Sequence, residues 1–185
     1  MGSMRGNLKA RVCIIAPPPV DSEYARQLPL SCPNAAALHL LLEKSGFDTN
    51  EDAFVLSCSF FGTKANKAST DPVAVLIKEI AEKKLADFFI CVGDLSFKFI
   101  FGRGKMPPMS TMQGSLIYHN DIGHKPLFTL PNIDGLIPPN ANVSGRLPYS
   151  EYRRLQGLRD WSEKLTTKME TIGAKLTTLI QKHAR

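Results

Sequence analysis

At 185 residues the chain suits one domain, long enough to bury about two-thirds of the surface its unfolded form would expose. Hydrophobic residues make up 43% and charged residues 22%, an ordinary globular balance, and no apolar run reaches the roughly 20 residues of a bilayer span. A formal charge of +6 points to a polyanionic partner, and Cys13, Cys32, Cys58 and Cys91 are too widely spaced for a zinc or cluster motif.

Met1, Gly2 and Ser3 read as a tag before a second initiator at Met4, and residues 1–9 are polar and expected to be disordered. Arg11, Val12, Cys13, Ile14 and Ile15 form a β-branched apolar run ended by Pro17, Pro18 and Pro19, which predicts a buried strand feeding a rigid loop. Asn34 is a candidate cap for a helix whose apolar residues Ala37, Leu38, Leu41 and Leu42 fall at helical spacing, with Gly46 at its C-terminal end. A second strand is expected over 53–57, followed by a polar segment and a helix from about Asp71 and Pro72 to Lys84.

Residues 87–92 make the third apolar strand, closed by Gly93, and 95–101 a short helix closed by Gly102. A basic loop rich in Pro and Met covers 103–112. Residues 115–118 and 126–130 are expected as two last strands around a polar turn at Asn120 and Gly123. Beyond a loop at 138–148, Leu155, Leu158, Trp161, Leu165, Met169, Ile172, Leu176, Leu179 and Ile180 make one apolar stripe, which predicts a long helix over 151–182. Its distal half is either packed on the domain or free to bind a partner or a second copy.

Short strands alternating with helices imply an open α/β sheet with helices on both faces, whose ligands gather at the carboxyl ends of the strands. The loops to inspect are therefore 16–33, 57–70, 93–95 and 129–136.

Those loops carry residues that, in this order, resemble the uracil-DNA glycosylase superfamily, in its compact branch with a Gly-x-Ala-Pro-Gly first motif. Ile14, Ile15, Ala16, Pro17 and Pro18, followed by Asp21 and Glu23, stand at the first motif. Leu28, Pro29, Leu30 and then Ala35 to Leu38 resemble the segment that follows it, and Gly46 and Phe47 the lead into the second strand. Residues 87–102 are similar to the family's strand, glycine and short helix, and Met112, Gln113 and Gly114 to its Arg-Gly turn without the arginine. Phe128, Thr129, Leu130, Pro131 and Asn132 stand at its final His-Pro motif, and Trp161 in its closing helix.

The resemblance implies a three-layer α/β/α fold around a mostly parallel four-stranded sheet, plus the long C-terminal helix. It also implies a domain over 10–165 and a helical extension over 166–185. The base pocket would be formed by Ala16, Pro17, Pro18, Leu30, Ser57, Leu130, Asn132 and Asp134. Leu130 stands where active members place a histidine that bonds the uracil carbonyl, and Pro18 replaces a glycine, adding bulk and removing an N–H. Leu30 falls at the stacking aromatic and Ser57 at the uracil-reading asparagine, so both means of reading a flipped base are diminished.

Asp21 and Glu23 are candidates to activate water or hold a cation, or are solvated loop acids. Asn132 and Asp134 either replace the missing polar groups or form an Asx-turn. Ser57 and Cys58 have no base within a predicted pocket loop. Lys64, Asn66, Lys67, Arg103 and Lys105 lie in loops that approach DNA phosphates in the family. No metal and no cofactor is expected, the thiols indicate a reducing intracellular compartment, and nothing resembles a secretory signal. The expected function is DNA binding without ordinary uracil excision, as an accessory factor in replication, repair or modification. The alternatives are an enzyme acting on a non-uracil or hypermodified pyrimidine and a protein-interaction module using the C-terminal helix.

Overall fold

The computed structural model describes residues 4–32, 35, 38–39, 42–43, 47–101, 114–130, 174–176, 178–179 and 181–182. In chain order these form β1 (Met4–Gly6), β2 (Val12–Ala16), α1 (Asp21–Arg26), β3 (Ala53–Ser57), α2 (Lys67–Glu82), β4 (Phe88–Val92), α3 (Asp94–Ile100), β5 (Leu116–Tyr118), a 3₁₀ turn (Asn120–Ile122) and β6 (Pro126–Leu130). The chain is α/β, with one six-stranded mixed sheet in the order β1-β3-β2-β4-β6-β5. The resemblance implies four strands and the apolar runs five, 115–118 among them; neither foresees β1. The two edge strands are antiparallel, β1 to β3 and β5 to β6, while β3, β2, β4 and β6 run parallel.

The parallel strands read as unbroken apolar runs because both of their faces are covered. Alternate side chains divide between two clusters. Val12, Ile14, Ala16, Val55, Phe88, Ile90, Val92, Phe128 and Leu130 pack with Leu38, Leu42 and Leu176 on one face. Cys13, Ile15, Phe54, Leu56, Phe89, Cys91 and Leu127 pack on the other with Val73 and Ile77 of α2 and Phe97 and Ile100 of α3. Leu38, His39, Leu42 and Glu43 are helical, as their spacing predicts, and both leucines are fully buried.

Residues 4–9 are not an unstructured tail. Met4, Arg5 and Gly6 pair with Leu56, Val55 and Phe54. The region expected as loop before Pro33 contains α1. Helix α2 begins four residues before Asp71, because Asn66 caps it: the Asn66 side chain accepts from the Ser69 N–H at 3.0 Å while the Ser69 hydroxyl accepts from the Asn66 N–H at 3.1 Å. Pro72 then sits inside the helix at the loss of one ladder hydrogen bond. Leu176, beyond the boundary expected at 165, is fully buried in the main core, with Leu179 packed against it. Of the expected 151–182 helix, residues 174–176, 178–179 and 181–182 are helical, and the rest lies outside the described residues. Among the described residues no helix is long and apolar enough to cross a membrane.

Charge stitches the amino ends of three parallel strands. Arg11, just before β2, donates through Nε to Asp87 Oδ2 at 2.8 Å and through Nη2 to the same oxygen. Lys125, just before β6, donates to Asp87 Oδ1 at 2.9 Å. Partial burial raises the Asp87 carboxyl, but the hydrogen bonds and charges of Lys125 and Arg11 outweigh it and hold the group below its ordinary range. A carboxylate depressed in the folded state contributes stability that is complete above the unfolded value near 3.9 and is lost as pH falls through the folded value. Asp87→Asn is therefore expected to flatten the acid limb of a melting-temperature titration below about pH 5 and to leave the neutral region with a constant offset. An unchanged acid limb would remove Asp87 from the acid response.

Candidate nucleic-acid interface

The carboxyl ends of the parallel strands converge on one end of the sheet. There β2 runs into Pro17, Pro18 and Pro19, β3 into Cys58 and Ser59, and β4 into Gly93, whose φ of +85° turns the chain into α3. The loops are stitched to each other rather than held open. The Ser57 hydroxyl donates to the Pro17 carbonyl at 3.3 Å and accepts from the Ser59 N–H at 3.2 Å, and the Cys58 N–H donates to the Ala16 carbonyl at 2.8 Å. Gly93 N–H donates to the Leu130 carbonyl at 3.0 Å.

Of the eight positions expected to line a base pocket, Ala16, Leu30, Ser57 and Leu130 are fully buried or nearly so. Ala16, Leu30 and Leu130 belong to the main core cluster, and Leu30 also borders a cleft on the β1 edge. Leu30 has a φ of +58°, and its carbonyl accepts from Arg5 Nη1 at 3.1 Å and His39 Nε2 at 2.7 Å. Those two bonds hold the turn that drives its side chain inward. Pro17 and Pro18 are half-buried, and Asn132 and Asp134 lie outside the described residues.

The two candidate acids part company. Asp21 is exposed in the first turn of α1. Glu23 is only 5% exposed, and its two carboxylate oxygens accept from the Val20 N–H at 3.2 Å and the Cys32 N–H at 3.0 Å. It clamps the ends of the loop from Val20 to Cys32 and is not a solvated loop acid; with both oxygens engaged by backbone it is poorly placed to activate water. Cys13, Cys58 and Cys91 are buried and free. Burial pushes the Cys58 thiol up to about 12, against the hydrogen bond from Ser96 and one from its own backbone, and drives Cys13 and Cys91 upward too. Neutral thiols are neither nucleophiles nor ready metal ligands. Among the described residues no group of three or more His, Cys, Asp or Glu is arranged to hold a metal ion.

Of the basic candidates, Lys64 and Lys67 are exposed, and among the described residues neither pairs with a carboxylate. Asn66 between them is committed to capping α2, so its role is to position the lysines. Arg103 and Lys105 lie outside the described residues. The loop carrying Lys64 is built from within: the buried Ser59 hydroxyl lies 3.2–3.4 Å from the carbonyls of Phe61, Gly62 and Lys64, and the Ser69 hydroxyl donates to the Lys64 carbonyl at 3.1 Å.

Two features adjoin the expected residues without a role assigned to them from sequence. A cleft of about 760 Å³ on the β1 edge is lined by Leu30 together with Arg5, His39, Glu43, Thr49 and Asn50. Its polar groups serve each other: Arg5 Nη2 donates to Asn50 Oδ1 at 2.9 Å, and His39 Nδ1 lies 3.0 Å from the Thr49 hydroxyl. Because a carbonyl only accepts, His39 Nε2 is the donor to Leu30. The second feature is Phe61, which is 62% exposed beside Lys64. Two consecutive phenylalanines before a glycine in an otherwise polar loop were the signal for it.

Comparison with known proteins found no family model that matches the chain and no curated protein that matches it at significance.

Proposed function

We propose that this chain is an intracellular DNA-binding protein on a uracil-DNA glycosylase-like scaffold, an accessory factor in DNA replication, repair or modification that does not excise uracil. One observation carries the reading. At the ligand-binding end of the sheet, four positions that would form a base pocket are consumed by the core, while Lys64 and Lys67 stand exposed on a braced loop. The scaffold likeness draws support from the four parallel central strands and from helices packed on both faces. An excess of 23 basic over 17 acidic residues favours a polyanion. Burial of Leu176 in the core, with Leu179 packed against it, argues against a C-terminal helix kept free for a partner.

The test incubates the protein with labelled single- and double-stranded DNA carrying normal, uracil or 5-substituted pyrimidines, and scores retention and abasic sites across a salt series. Retention is expected to fall linearly with the logarithm of salt, with no base release. Lys64→Ala and Lys67→Ala are each expected to reduce the salt slope by about 1 on every sequence. Salt-independent retention or none overturns DNA binding; release of any base establishes the glycosylase-type enzyme instead.

A further inference from the structure

We infer that the loop between β3 and α2 is a stacking platform for single-stranded DNA, with Phe61 taking the face of an unpaired base while Lys64 and Lys67 hold the adjoining phosphates. The inference rests on the DNA-binding reading and names the form of DNA that this end of the molecule prefers.

The loop treats its two phenylalanines differently. Phe60 is partly buried against the core cluster on the α2 face, and its N–H donates to the Ser69 carbonyl at 3.2 Å. Phe61, one residue on, is turned out to solvent. The turn is made by Gly62 at a φ of +82°, where an added Cβ would meet no atom within 4 Å, so the space beside the ring's anchor point is open. The Ser59 hydroxyl sits among the carbonyls on either side of this turn, which keeps Phe61 and Lys64 on one short, rigid stretch. A platform held from within loses little conformational freedom on binding.

The residue types then select the ligand. An exposed aromatic ring recovers its hydration cost by stacking on another flat apolar face, and each nucleobase offers one without regard to sequence. In a duplex those faces are already stacked, so the ring finds a partner only on an unpaired strand. The two ammonium groups supply the phosphate attraction that a bare apolar patch lacks. Leu85, 52% exposed but not aromatic, lies at the opposite end of the sheet, ahead of β4, and lacks these features.

The experiment measures fluorescence anisotropy of a labelled oligothymidylate of about 20 nucleotides and of a mixed-sequence duplex of equal length, over a salt series. The proteins are the full chain, Phe61→Ala, Phe61→Trp and, as a control for loss of exposed apolar area, Leu85→Ala. Phe61→Ala is expected to weaken oligothymidylate binding roughly five- to a hundredfold, with duplex affinity and both salt slopes unchanged. Phe61→Trp and Leu85→Ala are expected to bind like the parent. Because the Phe61 side chain is exposed, the variants keep the fold, which circular dichroism verifies. If the parent binds both probes with a salt slope but Phe61→Ala matches it on oligothymidylate, or loses equally on duplex, the platform is overturned and DNA binding stands. If the parent binds neither probe, the DNA reading itself falls.

Discussion

Replacing Leu176 with alanine is expected to lower the unfolding free energy by about 2–5 kcal/mol, the range for truncating a buried leucine where the core cannot collapse around the gap. Leu176 is fully buried among side chains from β2, β3, β4 and β6, so its loss leaves a cavity walled by the most constrained part of the fold. Against a total stability of about 5–15 kcal/mol that is a large share. Urea denaturation should show a lower midpoint at an unchanged slope. Lys175→Ala, one residue away and exposed, should stay within about 0.5 kcal/mol of the parent. A Leu176→Ala protein as stable as Lys175→Ala would place the segment off the core. The same packing bears on truncation: removing 166–185 takes away part of the core, so a loss of binding in that deletion cannot be assigned to a docking helix.

Gly6→Ala is the second substitution with a large expected cost, about 2–4 kcal/mol. Gly6 sits at a φ of +92°, where side chains are strained, and a Cβ would lie 2.4 Å from the Ala53 carbonyl oxygen and 3.1 Å from that of Thr49. Both obstacles are backbone, so β1 has to move. When it does, β3 loses its antiparallel partner, and Arg5 is drawn away from Leu30 and Asn50. Hydrogen exchange should accelerate in β3 while β4 and β6 keep their protection, because the damage is confined to one edge. Unchanged exchange in β3 would mean that β1 contributes nothing to the sheet.

The strands over 53–57 and 126–130 coincide with their apolar runs, the one expected over 11–15 is shifted by a residue, and those expected over 87–92 and 115–118 begin one residue later. A parallel strand buried on both faces leaves a compositional mark strong enough to read locally. Strand β1 leaves none. It is three residues long, pairs along one edge only, and depends on Phe54, Val55 and Leu56 far along the chain. Helix α1 has no apolar stripe; Glu23 secures its start through Val20 and reaches Cys32 nine residues on. Helix α2 is misplaced by four residues because Pro72 looks like a first-turn proline, whereas the Asn66 and Ser69 pair supplies the cap without the acidic residue that marks a usual capping box.

The candidate site divides in the same way. Which loops gather at the carboxyl ends of the strands follows from strand order along the chain, since alternating strands and helices leave an open sheet little other choice. Periodicity likewise suffices to turn Leu38 and Leu42 toward the core. Whether a loop residue faces inward or outward does not follow from its neighbours, because it is settled by partners distant in sequence: Ser57 by Pro17, Leu30 by Arg5 and His39, the end of β6 by Gly93. Those long-range bonds draw Leu30, Ser57 and Leu130 into the interior and leave Phe61, Lys64 and Lys67 at the surface. The class of fold is thus written in local patterns of apolar residues, while the chemistry exposed at the carboxyl ends of its strands comes into being only when separated segments compete for the same interior.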